Sequence, residues 1–344
     1  MSQIKFLWTI TFVFILVIQS FAEPPAPPAG KMWVQVEKHS DEFNGSSLDG
    51  NKWMNYHPYW NGRPPSQYNR ENVSVEDGNL LLRSTVANAN QQGNWVWAAC
   101  VTSKNRDCNI GYYEARIKAS RLSMTSAFWF QGKYTEIDII ENIGASTANS
   151  ELDWLMRMNT HYYPNGWNND INTPEKWPMP TKSCAEYHVY GVWWRNENSI
   201  WMYHNNEKVV EIKPGGAFDE PQYMFFDTET FEWDGLPTLA SLRDSDKNTM
   251  YVDWVRAWKL EDDNTPIVNN PNRLNALNNL QGKGIIEICD IRGRVIRTIS
   301  SWNVGEMKQL LRNQAGSLPA GLYFYRFITG NMTVVQKNIF LINR

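Results

Sequence analysis

The sequence predicts an all-β chain, a sandwich or jelly roll followed by a small C-terminal β-sandwich domain, on three observations. Short alternating runs recur from about residue 31 to 260, turn signals separate them, and no long stretch keeps a helical period. VSVEDGNLLLRSTV places Asp77-Gly78 between alternating runs, a hairpin signal, and SIWMYHNNEKVVEI forms a second hairpin around Asn205-Asn206. GYYEARIKA, VYGVWWR and MYVDWVRAWKL each alternate as single strands. A chain of 344 residues has room for one large domain and a small one.

Ahead of the strands, residues 1–22 read as a secretory signal peptide. Lys5 supplies the charge, Phe6 to Ile18 is apolar, and Ser20-Phe21-Ala22 ends in small residues. The apolar run is short for a membrane span, which needs ~20 residues; an uncleaved anchor is the alternative. Residues 23–30, EPPAPPAG, form a Pro-rich extended spacer. Export permits a disulfide, and Cys100 with Cys108 can close a hairpin-sized loop, leaving Cys184 unpaired. The four cysteines lack CxxC spacing and a nearby His cluster, which argues against zinc. A net charge of −3 supplies no basic field for nucleic acid. Seventeen Trp, fifteen Tyr and fourteen Phe fill a sandwich core and leave some rings to stack on sugars.

The chemistry concentrates in the run YTEIDIIENIG, where Glu136, Asp138 and Glu141 share a stretch with three isoleucines. β-Branched residues favour a strand. In a regular strand Glu136 and Asp138 share a face, while Glu141 points into the apolar layer. An unpaired carboxylate buried there costs on the order of several kcal/mol. One extra residue, a β-bulge at Ile139–Ile140, brings all three acids to one side. The outer glutamates are then about four strand steps apart, roughly 13 Å between Cα atoms. Leaning side chains close most of that gap toward the ~5–5.5 Å carboxyl separation of a retaining glycosidase. Asp138 between them raises a neighbour's pKa by like-charge repulsion and hydrogen bonding. A polar strand face in water, with or without a bound cation, is the alternative reading of these residues.

The order of landmarks is more specific than the acids alone. DEFNGSSLDGNKW, NVSVEDGNLLL, GYYEARIKA, SAFWFQGKYTEIDIIENIG, YHVYGVWW and NTMYVDWVRAWK follow one another as in glycoside hydrolase family 16, which this chain resembles over about 230 residues. The resemblance implies a bent β-jelly-roll with an open cleft on its concave face. It also implies endo-acting hydrolysis of a β-linked polysaccharide with retention of configuration. It assigns Glu136 as nucleophile, Asp138 as assistant and Glu141 as acid/base, which spacing alone does not decide. Laminarinase-like members usually carry Trp-Pro and a Met within the motif, where this chain has Tyr134-Thr135 and Ile140. WNGRPPSQYNRENVSV, MNTHYY and TFEWDGLPT resemble the β-agarase and porphyranase side instead. That side implies cleavage of β-1,4 galactosyl bonds in a red-algal galactan, agarose or porphyran.

Several side chains are candidates for the cleft. Trp60, Arg63 and Ser66 lie in a Gly/Pro-rich loop, where binding residues concentrate. Trp60 can stack a sugar and Arg63 can donate hydrogen bonds or grip a sulfate bidentately; otherwise Trp60 caps the sandwich edge and Arg63 is solvated. Trp129 is assigned to the same face as Glu136, as a floor residue or a core one. His161, Glu229 and Trp233 are sugar-binding candidates by resemblance, though a lone histidine is more often structural. The fold also implies a structural calcium on the convex side, held by the main-chain carbonyls of Glu42 and Gly78 and by Asp253, since oxygen-only ligands suit that ion. No cofactor is expected in catalysis.

Glu261 to Arg273 is polar with two prolines, and reads as a linker spanning 261–275. GIIEICDIRGRVIRTIS then gives strand, turn, strand, and LPAGLYFYRFITGNMTVVQKNIFLI repeats the pattern. Residues 276–344 resemble the sorting domains read by type IX secretion systems of Gram-negative bacteria; a carbohydrate-binding or adhesion module is the alternative. The expectation is a monomeric enzyme, secreted or held at the cell surface, with polysaccharide and export machinery as partners. A β-glucanase of the same family and a non-catalytic polysaccharide-binding protein are the rivals.

Overall fold

Alternation decides which side of each strand is buried, and the strand Thr125–Gln131 illustrates it. Phe128 and Phe130 enter the main core, while Ala127 and Trp129 join a separate cluster on the opposite face. The structure, a computed structural model, describes residues 24–263, 284–290, 295–301, 321–329, 332–334 and 340–342. Two compact units divide the chain, Met1–Glu261 and Asp262–Arg344. The expected signal peptide and all of the linker beyond residue 263 lie outside the described residues.

The first unit is a β-jelly-roll sandwich. Its outer sheet runs in the order Glu207–Ile212, Ser199–His204, His188–Asn196, Gly111–Lys118, Thr249–Asp262, Asn79–Arg83 and Val73–Glu76, with Lys31–Gln35 beside Thr249–Asp262. Trp33 Nε1 donates to the Pro25 carbonyl at 2.6 Å, which ties the Pro-rich spacer to that strand. The second sheet runs Ile171–Asn172, Leu155–Tyr162, Thr135–Ile143, Thr125–Gln131, Tyr223–Asp227, Cys100–Ser103 and Trp53–Met54. Both expected hairpins form, and their turn residues take left-handed backbone: Asp77 and Gly78 at φ 49° and 74°, Asn205 and Asn206 at 47° and 69°. Leu239–Arg243 is the one α-helix among the described residues.

The core lies between the sheets. Phe128, Phe130, Ile137, Ile139, Ile140 and Phe226 from one sheet meet Ile117, Val192, Trp194, Met202 and Val252 from the other. Each fully buried side chain of this size contributes about 1.5–3 kcal/mol relative to exposure.

The Cys100–Cys108 disulfide does not form: both are free thiols. Cys100 packs with Trp129 and Phe225 on the groove side, whereas Cys108 sits in the inter-sheet core. Sulfurs on opposite faces of one sheet cannot meet.

The described strands of the second unit form one antiparallel sheet. Its order is Val295–Ser301, Gly284–Asp290, Gly321–Thr329 and Met332–Val334, with Phe340–Ile342 also beside Gly321–Thr329. These strands coincide with the two expected repeats; their turns at 291–294 and 330–331 lie outside the described residues.

Candidate active site

The acidic strand Thr135–Ile143 pairs with Thr125–Gln131 through a tight turn at Gly132–Tyr134. Glu220 clamps that turn by accepting from the amides of Lys133 and Tyr134 at 2.9 and 2.6 Å and from the Thr135 hydroxyl at 2.8 Å. A Cβ on residue 132 would stand 2.5 Å from the Glu220 carboxyl, so the close approach requires Gly132. Register then fixes the acids. Gln131 pairs with Glu136 and Trp129 with Asp138, while Phe128 pairs with Ile140 and Ala127 with Glu141. Ile139 is the extra residue, so the bulge falls in the predicted Ile139–Ile140 step. Ile137, Ile139 and Ile140 all remain in the core, and Glu136, Asp138 and Glu141 line one groove.

The three acids have different surroundings. Glu136 Oε2 accepts from Gln131 Nε2 and from the Tyr163 hydroxyl at 3.3 Å, and Gln131 Oε1 in turn accepts from the Tyr59 hydroxyl at 2.7 Å. Asp138 is 3% exposed, with its Oδ2 3.3 Å from His161 Nε2. Glu141 receives no side-chain hydrogen bond among the described residues. Burial and then Asp138 push Glu136 up, opposed by His161 and the Gln131 hydrogen bond. Burial, then Asp138 and Glu229, push Glu141 up to about 8 against Arg157 and His161. Burial also raises Asp138. Burial and Asp138 lift Glu136 well above its ordinary value too. Glu136, however, has two hydrogen-bond donors stabilising its anion and Glu141 has none, an asymmetry that favours the proton on Glu141.

The groove encloses about 390 Å³ and is walled largely by loops. On the Tyr223–Asp227 side, Arg63 Nε bonds Glu229 Oε2 at 2.9 Å and the Tyr68 hydroxyl donates to Asp227 Oδ2 at 2.6 Å. Trp60 and Trp233 flank Arg63, their ring centroids 5.6 and 5.7 Å from its guanidinium carbon. Trp233 is 64% exposed and packs on Phe231 at 4.6 Å, outside the residues that line the groove. Trp129 lines the groove but stacks on Phe225 at 4.4 Å, so it is a floor residue with little free face.

Two expectations change. Ser66 is fully buried, and its hydroxyl donates to the Arg63 carbonyl at 2.7 Å, so it shapes the loop and does not face a sugar. His161 has protein partners on both ring nitrogens: Asp170 on Nδ1, and Asn159 and Asp138 on Nε2. Its place is in the carboxylate network rather than on the substrate.

Sequence reasoning missed Tyr59, Gln131, Tyr163, His57, Asp227 and Trp167, all groove-lining. A signal existed for Gln131, because a tight turn at Gly132 places it opposite Glu136. Trp167, 53% exposed beside Tyr163, sits in a loop of turn residues that carries no periodicity.

Among the described residues, Glu136, Asp138 and His161 bring ligand atoms within 4.8 Å of one another. The calcium set lies on the other sheet. Asp253 is the extra residue of a bulge in Thr249–Asp262, and Arg116 Nη1 holds its Oδ2 at 2.5 Å. A carboxylate oxygen and two main-chain carbonyls are ligands of the kind that suit a hard cation, but Arg116 already neutralises this carboxylate.

Residues 33–260 match the family described as "Beta-porphyranase A-D, GH16 domain". The chain is 35% identical over 252 residues to β-porphyranase E of Zobellia galactanivorans, covering 68% of this chain and 90% of that protein. It is 35% identical over 280 residues to β-porphyranase B of Phocaeicola plebeius, covering 69% and 87%. The crystal structure of a β-porphyranase from the human gut bacterium Bacteroides plebeius superposes with a TM-score of 0.63 at 33% identity, over 70% of this chain and 96% of that one. β-Agarase A of Zobellia galactanivorans, with a TM-score of 0.64 at 22% identity, shares the fold.

Proposed function

The chain belongs to glycoside hydrolase family 16, in its β-porphyranase A–D group, and on that premise we propose that it hydrolyses β-1,4 galactosyl bonds within agar-type galactan, porphyran foremost, with retention of configuration. The observation that carries the reading is the bulge at Ile139, which puts Glu136, Asp138 and Glu141 on the floor of one groove. Glu136 attacks the anomeric carbon and forms a glycosyl ester, while Glu141 gives its proton to the departing oxygen. Glu141 then takes a proton from water, the hydroxide displaces Glu136, and the acid is restored. Asp138 keeps the proton on Glu141 by repulsion. Arg63, with Trp60 and Trp233 beside it, offers a cation and two flat rings suited to a sulfated sugar.

The proposal includes export: a signal peptide at residues 1–22, release to the medium or cell surface, and passage through a sorting machinery that reads residues 276–344. It also includes a calcium held by Asp253 and the carbonyls of Glu42 and Gly78, stabilising the outer sheet and taking no part in the reaction.

The test is a panel of porphyran, agarose, carrageenan and laminarin, assayed for new reducing ends with medium and with cells, in calcium and in EDTA. Porphyran is expected to be cut fastest, by activity found outside the cytoplasm and with a melting temperature that falls in EDTA. Oligosaccharides from laminarin alone would refute the substrate. Binding with no new reducing ends would favour a non-catalytic protein. Activity confined to the cytoplasm, or a melting temperature indifferent to EDTA, would remove export or the ion.

A further inference from the structure

We propose that Asp170 is a positioning residue for this reaction, fixing the Nδ1 proton of His161 so that the imidazole presents Nε2 to the catalytic carboxylates. The inference rests on the hydrolase reading above and adds a member that the acidic motif does not contain. Asp170 precedes the short strand Ile171–Asn172, which folds back on Leu155–Tyr162 so that Asn172 pairs with His161. That return brings both Asp170 oxygens to 2.9 Å from His161 Nδ1. Asn172 Nδ2 donates to Asp170 Oδ2 at 3.1 Å and holds the carboxylate in place. Tyr163 stacks on the imidazole at 5.8 Å and 11°, which fixes the ring plane.

A carboxylate accepts only, so Nδ1 carries a proton in either charge state of His161. Titration is therefore confined to Nε2, and two groups compete for that nitrogen. Asn159 Nδ2 lies 2.9 Å away and can donate to the neutral ring. Asp138 Oδ2 lies 3.3 Å away and Glu136 Oε1 4.0 Å away, and both favour the charged ring. Glu136, Asp138 and Glu141 face His161 from the acidic strand; Tyr163 and Asp170 face it from the segment after its own strand. Burial pulls the imidazole down, but Asp138, Glu136 and Asp170 outweigh it and lift its pKa to about 10. An imidazolium there lowers the pKa of Glu136 and helps keep the nucleophile ionised. Without Asp170 the ring sheds its proton earlier, Glu136 holds its own to higher pH, and the acid limb of the rate profile moves up.

A purely structural Asp170 would only anchor the loop that carries Trp167. Asp170→Asn separates the two roles, because the amide oxygen still accepts from Nδ1–H while the charge is gone. ¹⁵N NMR of the His161 ring in full-length protein reads its charge without requiring turnover. The ring is expected to stay charged through pH 8 in the parent and to titrate at a lower pH in Asp170→Asn, where only Asp138 and Glu136 still oppose burial. The acid limb of kcat/KM should rise by about one pH unit, and Asp170→Glu should bring both readouts back toward the parent. A ring that titrates at the parent's pH in Asp170→Asn, or an activity loss uniform across pH, would overturn the proposal. If no galactan is cut by the parent, the hydrolase reading fails on its own while the ring titration still reports on Asp170.

Discussion

Glu136→Gln is expected to lower hydrolysis by about 10⁴-fold or more, because the amide cannot form the glycosyl ester on which double displacement depends. The loss should be in kcat, with oligosaccharide affinity retained. Folding should not suffer. The carbonyl oxygen of the glutamine can still accept from Gln131 Nε2 and the Tyr163 hydroxyl. Removing the charge also ends its repulsion with Asp138, which helps raise the pKa of Glu136 in the parent. The melting temperature should therefore match or exceed that of the parent, as when a strained active site is relieved. Calorimetry and steady-state rates decide together: an inactive variant that melts well below the parent would make Glu136 a structural residue.

The second large effect is at the other end of the strand. Glu141 donates its proton only while protonated, so its pKa of about 8 sets the alkaline limb of the parent profile. Burial raises it first, and Asp138 and Glu229 add to the shift. Activity should fall as pH climbs through that value. Glu141→Gln removes both the limb and the proton donor, for a loss on the order of 10²–10⁴-fold on galactan. A substrate whose leaving group needs no protonation should still be attacked by Glu136 and stall as the glycosyl enzyme. Azide, a nucleophile that needs no base, should then release a glycosyl azide. Equal losses on good and poor leaving groups would take the acid role away from Glu141.

The parts of this site differ in how far the chain order exposes them. Glu136, Asp138 and Glu141 were readable together because three isoleucines and three acids in one strand cannot all be satisfied without an extra residue, and Ile139 is that residue. The hairpins at Asp77-Gly78 and Asn205-Asn206 were readable because their turns demand left-handed backbone. Ser66 was misplaced because loop membership does not say which way a hydroxyl turns. The Cys100–Cys108 pairing failed because the chain leaves the strand after Ser103 and brings Cys108 into the inter-sheet core while Cys100 faces the groove. Tyr59, Asp170 and Asp227 were invisible for a different reason. Tyr59 reaches Gln131 from 72 residues away and Asp227 meets Tyr68 across 159, and no local period encodes such meetings. Asp170 is only nine residues from His161, yet it arrives by a loop whose length carries no rule.

The central claim is that two glutamates on one bulged strand act in succession through a covalent intermediate. Proton NMR of the anomeric signals during the first minutes of porphyran digestion tests it most directly, before mutarotation mixes the anomers. The account predicts that the newly formed reducing ends appear first as the β anomer. An α anomer appearing first would mean single displacement by water, and would contradict the roles given to Glu136 and Glu141.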